Sequence, residues 1–508
     1  MATCRARGAF ALLLLAAATA CGSTATAPGR SVDTADEIPG NISGQPDIEP
    51  GLSVDVPGPA TAGVPRAPES AVDSVEPGPA ARATRSAAGP QTPDQGGTNR
   101  PRPRASSAVG VTAGAIKIGF IDVVNNDQLV ASFGVQGADI GSSRAQIDAV
   151  VADLNARGGI FGRKIEPVIA TFDSYSSETS AQQYESICAK FTQDNKVFAV
   201  LAPWNESPGF AECLRKARTL YITDGLLQLD AETFAALSPY VYTGLFSVSR
   251  GAVALADGLV TQGFFGRNTK TGIVRFDTPE YKRVADRYFK PVLAAAGVQV
   301  AAEAAIRRGN ISNQMADVNS AVLKFKTEQV DRVVFLTAAG GTAIFFMSQA
   351  ESQSYRPRYG LASPDAPSVL AQNLPASQLS GAMGSGWLPG IDVADAQGPP
   401  LTPAEKRCLA VHAKNGTSYA TRNSAITALA FCDLMWLFER AARAAGPDLT
   451  TARWTDGISA MGARHETPYT FATAFVRGRA DGATRYRPLA YDDACECFRY
   501  TSAARAVQ

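Results

Sequence analysis

From about residue 115 onward, the hydrophobic positions follow two patterns in turn, one typical of buried strands and one typical of helices. Residues 116–121 are almost all apolar or β-branched, which predicts a buried strand. Residues 142–156 then place Ala145, Ile147, Val150 and Leu154 at helical spacing. Two glycines follow this segment, where a helix commonly ends. The ordered part of the chain is therefore predicted to begin with a strand and a helix.

The alternation continues in two runs. The first run predicts strands and helices in turn at residues 164–172, 177–194, 197–201, 208–217 and 220–223. The second run begins with a helix and predicts helices and strands in turn at residues 250–262, 271–276, 280–296, 299–304, 313–327, 332–336, 342–352 and 358–361. Such alternation predicts parallel sheets covered by helices. We therefore expect an α/β protein with two Rossmann-like lobes and hinge crossovers, completed by a helix at 424–445 and a strand-like tail at 486–500.

The first 21 residues are organised like a bacterial export signal. Arg5 and Arg7 precede an apolar run at residues 9–18, and small residues then lead to Cys21. The run is too short to span a bilayer, which takes about 20 apolar residues as a helix. Residues 18–21 resemble the lipobox of bacterial lipoproteins, which implies a signal peptide at 1–20 and a lipid anchor on Cys21. An ordinary cleaved signal with an incidental cysteine is the alternative.

The next segment differs in composition from everything after it. Pro, Gly, Ala, Ser and Thr dominate residues 22–108, aromatic residues are absent, and no hydrophobic period emerges. Such a segment cannot bury enough apolar surface to offset the entropy lost on ordering. We expect residues 21–113 to form a lipidated, disordered tether that holds a folded body at the outer face of the cytoplasmic membrane.

Charge and motifs narrow the function. Lys and Arg number 48 against 47 Asp and Glu, so net charge gives no reason to expect nucleic acid as a partner. The sequence contains no G-x-S-x-G elbow, Walker A loop or H-E-x-x-H helix. His412 and His465 are its only histidines, which leaves few candidates for histidine-based catalysis. We expect no enzyme activity and no cofactor, with a paired-carboxylate hydrolase as the alternative.

Cysteine usage also favours export. Beyond Cys4 in the signal and Cys21, six cysteines remain, an even number, and six allow fifteen pairings. We favour Cys188 with Cys213 and Cys408 with Cys432, because each pair would link neighbouring helices of one lobe. Cys495 and Cys497 are left by elimination, and residues two apart on a strand lie within marginal bridging distance. A metal site at these last two is the alternative, with poor spacing for zinc.

The ordered part resembles a known family. Residues 155–165 match the N-x-x-G-G-I-x-G-x-x-I stretch of the leucine/branched-chain amino-acid type of periplasmic binding protein, a type I clamshell. Weaker matches follow in order at residues 172–174, 200–203, 222–224 and 276–281. The resemblance implies a first lobe at 114–246 and 366–470 and a second lobe at 247–365 and 471–508. It also implies a small-molecule ligand held between the lobes and an ABC-type membrane permease as partner.

The same resemblance suggests which residues contact the ligand, because open α/β sheets bind at the carboxyl ends of their strands. The expected contacts are Trp204, Asn205, Glu206, Thr223, Asp224, Tyr281 and Asp365. Amino-acid binders usually carry Ser and Thr in the loops after the third and fourth strands, where this chain has Trp204-Asn205-Glu206 and Asp224. We therefore expect a small polar ligand, such as an amino acid, an amide or a related compound, that is neutral or cationic. Alternatively, Asp224 and Asp365 simply cap the helices that follow them.

Two functions fit a clamshell of this kind. The first is delivery, in which the lobes close on a solute and dock on the permease. The second is sensing, in which closure is passed to a receptor. The sequence does not separate them, and an extracytoplasmic hydrolase is the third alternative.

Overall fold

A computed structural model describes residues 108–203, 207–224, 229–308, 311–337 and 341–507. The predicted signal peptide, Cys21 and nearly all of the predicted tether lie outside these residues. Within the described ranges, no helix combines the length and the apolar character that crossing a membrane requires.

The first lobe is built on a parallel sheet of five strands in the order β2-β1-β3-β4-β5. Its strands are β1 (Ala115–Val124), β2 (Lys164–Asp173), β3 (Ala199–Leu201), β4 (Leu220–Thr223) and β5 (Val241–Thr243). Apolar side chains on β1, such as Ile116, Ile118 and Phe120, are fully buried, as the β-branched pattern predicts. Phe120 of β1 pairs with Ile169 of β2 and with Leu201 of β3, so β1 lies inside the sheet.

The second lobe contains a separate mixed sheet in the order β12-β11-β10-β9-β8-β6-β7. Its strands are β6 (Thr271–Phe276), β7 (Val300–Ile306), β8 (Arg332–Leu336), β9 (Arg358–Ala362), β10 (Met383–Gly386), β11 (Arg485–Asp492) and β12 (Cys497–Tyr500), and β13 (Arg505–Ala506) pairs with β11. β11 runs antiparallel to both β10 and β12. The predicted strand-like tail is therefore a hairpin on this sheet.

Helices cover both sheets. They are α1 (Asn126–Ser132), α2 (Ser143–Ala156), α3 (Ser180–Ala189), α4 (Pro208–Lys216), α5 (Ala231–Leu237), α6 (Val248–Thr261), α7 (Pro279–Val284), α8 (Lys290–Ala295), α9 (Ile311–Thr327), α10 (Gly341–Ser352), α11 (Pro367–Asn373), α12 (Ala376–Leu379), α13 (Pro389–Asp392), α14 (Pro403–Lys414), α15 (Ile426–Ala445) and α16 (Thr451–Met461). α15 is buried along most of its length and packs against α2, β3 and β4. The two-lobed α/β fold predicted from the alternation of strands and helices is confirmed.

One predicted lobe boundary differs from the structure. We expected residues 366–470 in the first lobe, but β10 pairs in parallel with β9 in the sheet of the second lobe. β10 carries two glycines, so its sequence has little strand character. Gly384 is required there, because a Cβ at this position would lie 1.9 Å from the carbonyl oxygen of Leu361. The chain therefore returns to the first lobe after β10.

The chain crosses between the lobes three times: after β5, after β10 and before β11. These crossing segments are joined to one another. Thr470 Oγ1 donates to the carbonyl of Trp387 at 2.8 Å, which links the second crossing to the third. The backbone N–H of Ser247 donates to Asp481 at 2.8 Å, which links the first to the third. The hinge is thus one hydrogen-bonded unit.

The disulfides leave this hinge free. The structure contains Cys188–Cys213 and Cys408–Cys432 within the first lobe and Cys495–Cys497 within the second. These are the pairs favoured from the sequence. None of these three bonds joins one lobe to the other, so they do not oppose relative motion of the lobes.

Candidate functional site

A cleft of about 650 Å³ lies between the two lobes. The first lobe lines it with the carboxyl ends of β1 and β2 and with Pro203 after β3. The second lobe lines it with Phe276 at the end of β6, Gly341 after β8 and Asp365 after β9. Strand ends from both sheets therefore converge on one space, which is large enough for a small-molecule ligand.

The walls of this cleft are mainly apolar. The first lobe contributes Ile121, Val123, Leu129, Val130, Phe133 and Phe172, and the second contributes Phe276, Ile311, Ile344, Phe345, Val369 and Leu370. Arg308 also lines the cleft, and its guanidinium lies over the ring of Phe276 at 4.9 Å. Apolar walls with a few polar groups can bury the hydrocarbon part of a ligand and orient its polar part.

Asp365 is the predicted contact residue that the structure places in this cleft. The Asp365 side chain is almost fully buried, and its Oδ2 accepts a hydrogen bond from the backbone N–H of Ala362 at 2.7 Å. Its Oδ1 has no hydrogen-bond partner among the described residues. Burial raises the pKa of Asp365 to about 8, and the bond from Ala362 opposes that rise. Near pH 7 the carboxyl is mostly neutral and can donate a hydrogen bond.

The pKa of Asp365 predicts how stability changes with pH. The native carboxyl keeps its proton up to about pH 8, whereas the unfolded one loses it near its ordinary value of 3.8. The unfolding free energy from this group should therefore fall by about 1.4 kcal/mol per pH unit between those values as pH rises. Asp365→Asn should remove this component in denaturant titrations at pH 5, 6 and 7. If the unfolding free energy falls with pH equally steeply in the wild type and in Asp365→Asn, the raised pKa of Asp365 is contradicted.

The other predicted contacts are either outside the described residues or outside the lining of this cleft. Trp204, Asn205 and Glu206 fall outside the described residues. Thr223 and Asp224 are buried in the first lobe and are not among the described residues that line the cleft. Tyr281 is also buried and lines a separate cavity of about 40 Å³.

Asp224 belongs to a buried polar cluster, which corrects its predicted role. It accepts hydrogen bonds from the backbone N–H of Gly244 at 2.7 Å and from Thr243 Oγ1 at 3.2 Å. Burial and the adjacent Asp433 carboxyl raise the pKa of Asp224 well above its usual range. Burial opposes ionisation of Asp433 too, but His465, 2.8 Å away, and a hydrogen bond from Asp224 lower the pKa of Asp433. Asp224 is thus protonated and donates to Asp433, so it holds the first crossing segment in place.

One group of side chains is close enough together to bind a metal ion, and it consists of Cys408, His412 and Cys432. Their ligand atoms lie within 4.8 Å of one another, and all three residues are buried. The two sulfur atoms are joined in a disulfide, so neither is a thiolate. The three side chains are therefore a disulfide packed against a histidine, with Cys432 Sγ 3.6 Å from His412 Nε2.

Sequence reasoning missed the cleft residues that follow β1. Leu129, Val130 and Phe133 lie on or next to α1, a seven-residue helix in which no residue is buried. The segment is too short to show a helical period, and no element is predicted from the sequence between residues 121 and 142. The one available signal was apolar residues within an otherwise polar and glycine-rich segment.

The family model for periplasmic binding proteins matches residues 116–487, which covers both lobes and the three crossings between them. This chain belongs to the periplasmic binding protein family. A search of curated proteins found no match to this periplasmic binding protein. The resemblance inferred from residues 155–165 is therefore confirmed at the level of the family, whose members bind solutes.

Solved structures share the fold of this periplasmic binding protein at low sequence identity. A branched-chain amino-acid ABC transporter protein from Thermus thermophilus with bound valine is 15% identical, with a TM-score of 0.57 over 77% of this chain and 97% of that chain. A solute-binding protein from R. palustris with 4-hydroxybenzoate is 17% identical, with a TM-score of 0.56 over 78% and 98%. A fatty acid ABC transporter substrate-binding protein from Thermomonospora curvata is 18% identical, with a TM-score of 0.55 over 80% and 94%.

Proposed function

We propose that this protein captures a small solute between its lobes and delivers it to an ABC-type membrane permease. The observation that carries the proposal is the cleft of about 650 Å³, which strand ends of both sheets line together. A site shared by two lobes gives a closed form extra contacts with the solute, so binding favours closure. The fold shared with binding proteins of ABC transporters supports delivery as the purpose of closure.

The proposed solute has a substantial apolar part. The cleft walls are mainly aliphatic and aromatic, and the similar proteins were solved with valine or 4-hydroxybenzoate, or are described as fatty acid binders. A mostly neutral Asp365 offers little charge to a cationic group near pH 7. This modifies the small polar ligand expected from the sequence, because that expectation rested partly on Asp224, which is buried against Asp433 and is not among the described residues that line the cleft.

We also propose that the chain is exported and held at the outer face of the cytoplasmic membrane through a lipid on Cys21. The basic and apolar start of the chain and the lipobox-like residues 18–21 support this arrangement. Membership of a periplasmic family supports export independently of those residues. A tether at 21–113 would let the folded body meet a permease in the same membrane.

Solute capture predicts stoichiometric binding without chemical change. Native mass spectrometry of the purified chain with valine, leucine, 4-hydroxybenzoate and octanoate should show one molecule bound per chain for at least one probe. The same probe should raise the melting temperature, because it binds only the folded state. The probe recovered after denaturation should be intact. No bound probe at millimolar concentration would contradict an apolar solute, and consumption of a probe would support the hydrolase alternative.

A further inference from the structure

Residues 125–142, here called the strap, leave the first lobe after β1 and return to it at α2. The strap contains α1, in which no residue is buried. The helix α1 therefore places no side chain in a hydrophobic core. Gly134, Gly137 and Gly141 within the strap have positive φ angles of 65°, 74° and 66°. A short unburied helix that is followed by glycines opens at low free-energy cost.

The strap is attached to the second lobe by a reciprocal pair of hydrogen bonds. The backbone N–H of Gln136 donates to Asn373 Oδ1 at 2.8 Å, and Asn373 Nδ2 donates to the carbonyl of Gln136 at 2.9 Å. Asn373 is the last residue of α11, which also lines the cleft through Val369 and Leu370. The strap therefore crosses from one lobe to the other beside the cleft.

Apolar contacts reinforce this attachment. The ring of Phe133 packs edge-on against Phe345 of α10, with the centroids 5.3 Å apart. Val135 is half-buried and packs against a hydrophobic cluster of the second lobe that includes Leu370. At Gly137 a Cβ would lie 2.5 Å from Gln372 Oε1, so the backbone approaches α11 closely. Both polar and apolar contacts of the strap thus cross between the lobes.

The inner side of the strap faces the cleft. Leu129, Val130, Phe133 and Val135 line it together with Ile344 and Phe345 from α10. We infer that the strap forms one wall of an apolar subsite for the hydrocarbon part of the solute, and that it detaches from the second lobe before a solute reaches that subsite. The ligand part of this inference rests on the proposed function, and the detachment rests on the strap's own contacts.

Hydrogen–deuterium exchange of the full chain tests the detachment without a ligand. Asn373→Ala removes both hydrogen bonds of the pair, so exchange of peptides from residues 125–142 should become about tenfold faster. Asn319→Ala is the matched control, because among the described residues Asn319 Oδ1 accepts hydrogen bonds from Gln349 and Gln353 within the second lobe and from none in the strap. Exchange in the strap that is equal in Asn373→Ala and the wild type would overturn the detachment.

Binding of octanoate tests the subsite. Phe133→Ala should weaken octanoate binding about tenfold, because the variant loses an aromatic wall. Tyr175→Ala is the matched control, since Tyr175 is exposed on the first lobe and is not among the described residues that line the cleft. Octanoate bound equally by Phe133→Ala and wild type would overturn the subsite while the proposed function stands. Octanoate not bound by wild type would also overturn the subsite, and the proposed function would then depend on the other probes.

Discussion

Replacing Asp433 by alanine is expected to lower the free energy of unfolding by about 3 kcal/mol, because two buried groups lose their hydrogen-bond partner at about 1–3 kcal/mol each. Asp433 is fully buried on α15 and lies 2.8 Å from His465 Nε2. The substitution leaves His465 and the protonated Asp224 without that partner in a site closed to water. Urea denaturation of the purified variant, compared with wild type at pH 7, measures the loss.

Asp224→Asn is the matched control for that prediction. Asparagine keeps both an acceptor for the Gly244 N–H and a donor toward Asp433, the two roles that protonated Asp224 performs. Its unfolding free energy should stay within about 1 kcal/mol of wild type, since no hydrogen bond is lost. If Asp224→Asn lowers the free energy of unfolding as much as Asp433→Ala does, Asp224 is ionised in the native state. The proton would then not lie on Asp224.

Ile344→Glu is expected to weaken solute binding by about a hundredfold or more, because closure around the solute would desolvate a carboxylate in an apolar wall. Ile344 lies on α10 and lines the cleft. Isothermal titration with the tightest of the four probes measures the change. The fraction of folded variant is taken from circular dichroism, so that misfolding is not counted as lost affinity.

Two controls separate charge in the cleft from other effects. Leu323→Glu adds the same charge on α9 at a residue that is 59% exposed, and its affinity should equal that of wild type. Ile344→Leu keeps an apolar side chain of equal size, and its affinity should stay within about threefold. Binding by Ile344→Glu at wild-type strength would mean that the solute is held somewhere else.

Local sequence patterns predicted the first lobe well, because its helix ends and buried strands are determined by residues that are close to one another along the chain. Gly159 has a φ of 67°, and a Cβ there would lie 1.9 Å from the carbonyl oxygen of Arg163, so the turn that follows α2 excludes other residues. Cys188–Cys213 and Cys408–Cys432 were predictable for a similar reason, since each pair joins helices that are near one another in sequence.

Features that depend on distant parts of the chain were not predictable in this way. β10 is a strand because β9 and β11 supply its hydrogen bonds, and its own sequence gives little sign of that. Asp224 follows a strand, as a ligand contact would, but its environment is set by Asp433 and His465 far along the chain. Asp365 follows β9 and lines the cleft, a location that depends only on the order of the strands, and its contact with a ligand stays a prediction.

The distance between the two lobes, with and without solute, tests the central claim most directly. Spin labels introduced through Tyr175→Cys in the first lobe and Met315→Cys in the second lie on exposed residues next to cleft-lining ones. Double electron–electron resonance should show a shorter distance once a bound probe is saturating. An unchanged distance at saturation would contradict a clamshell that closes on its solute.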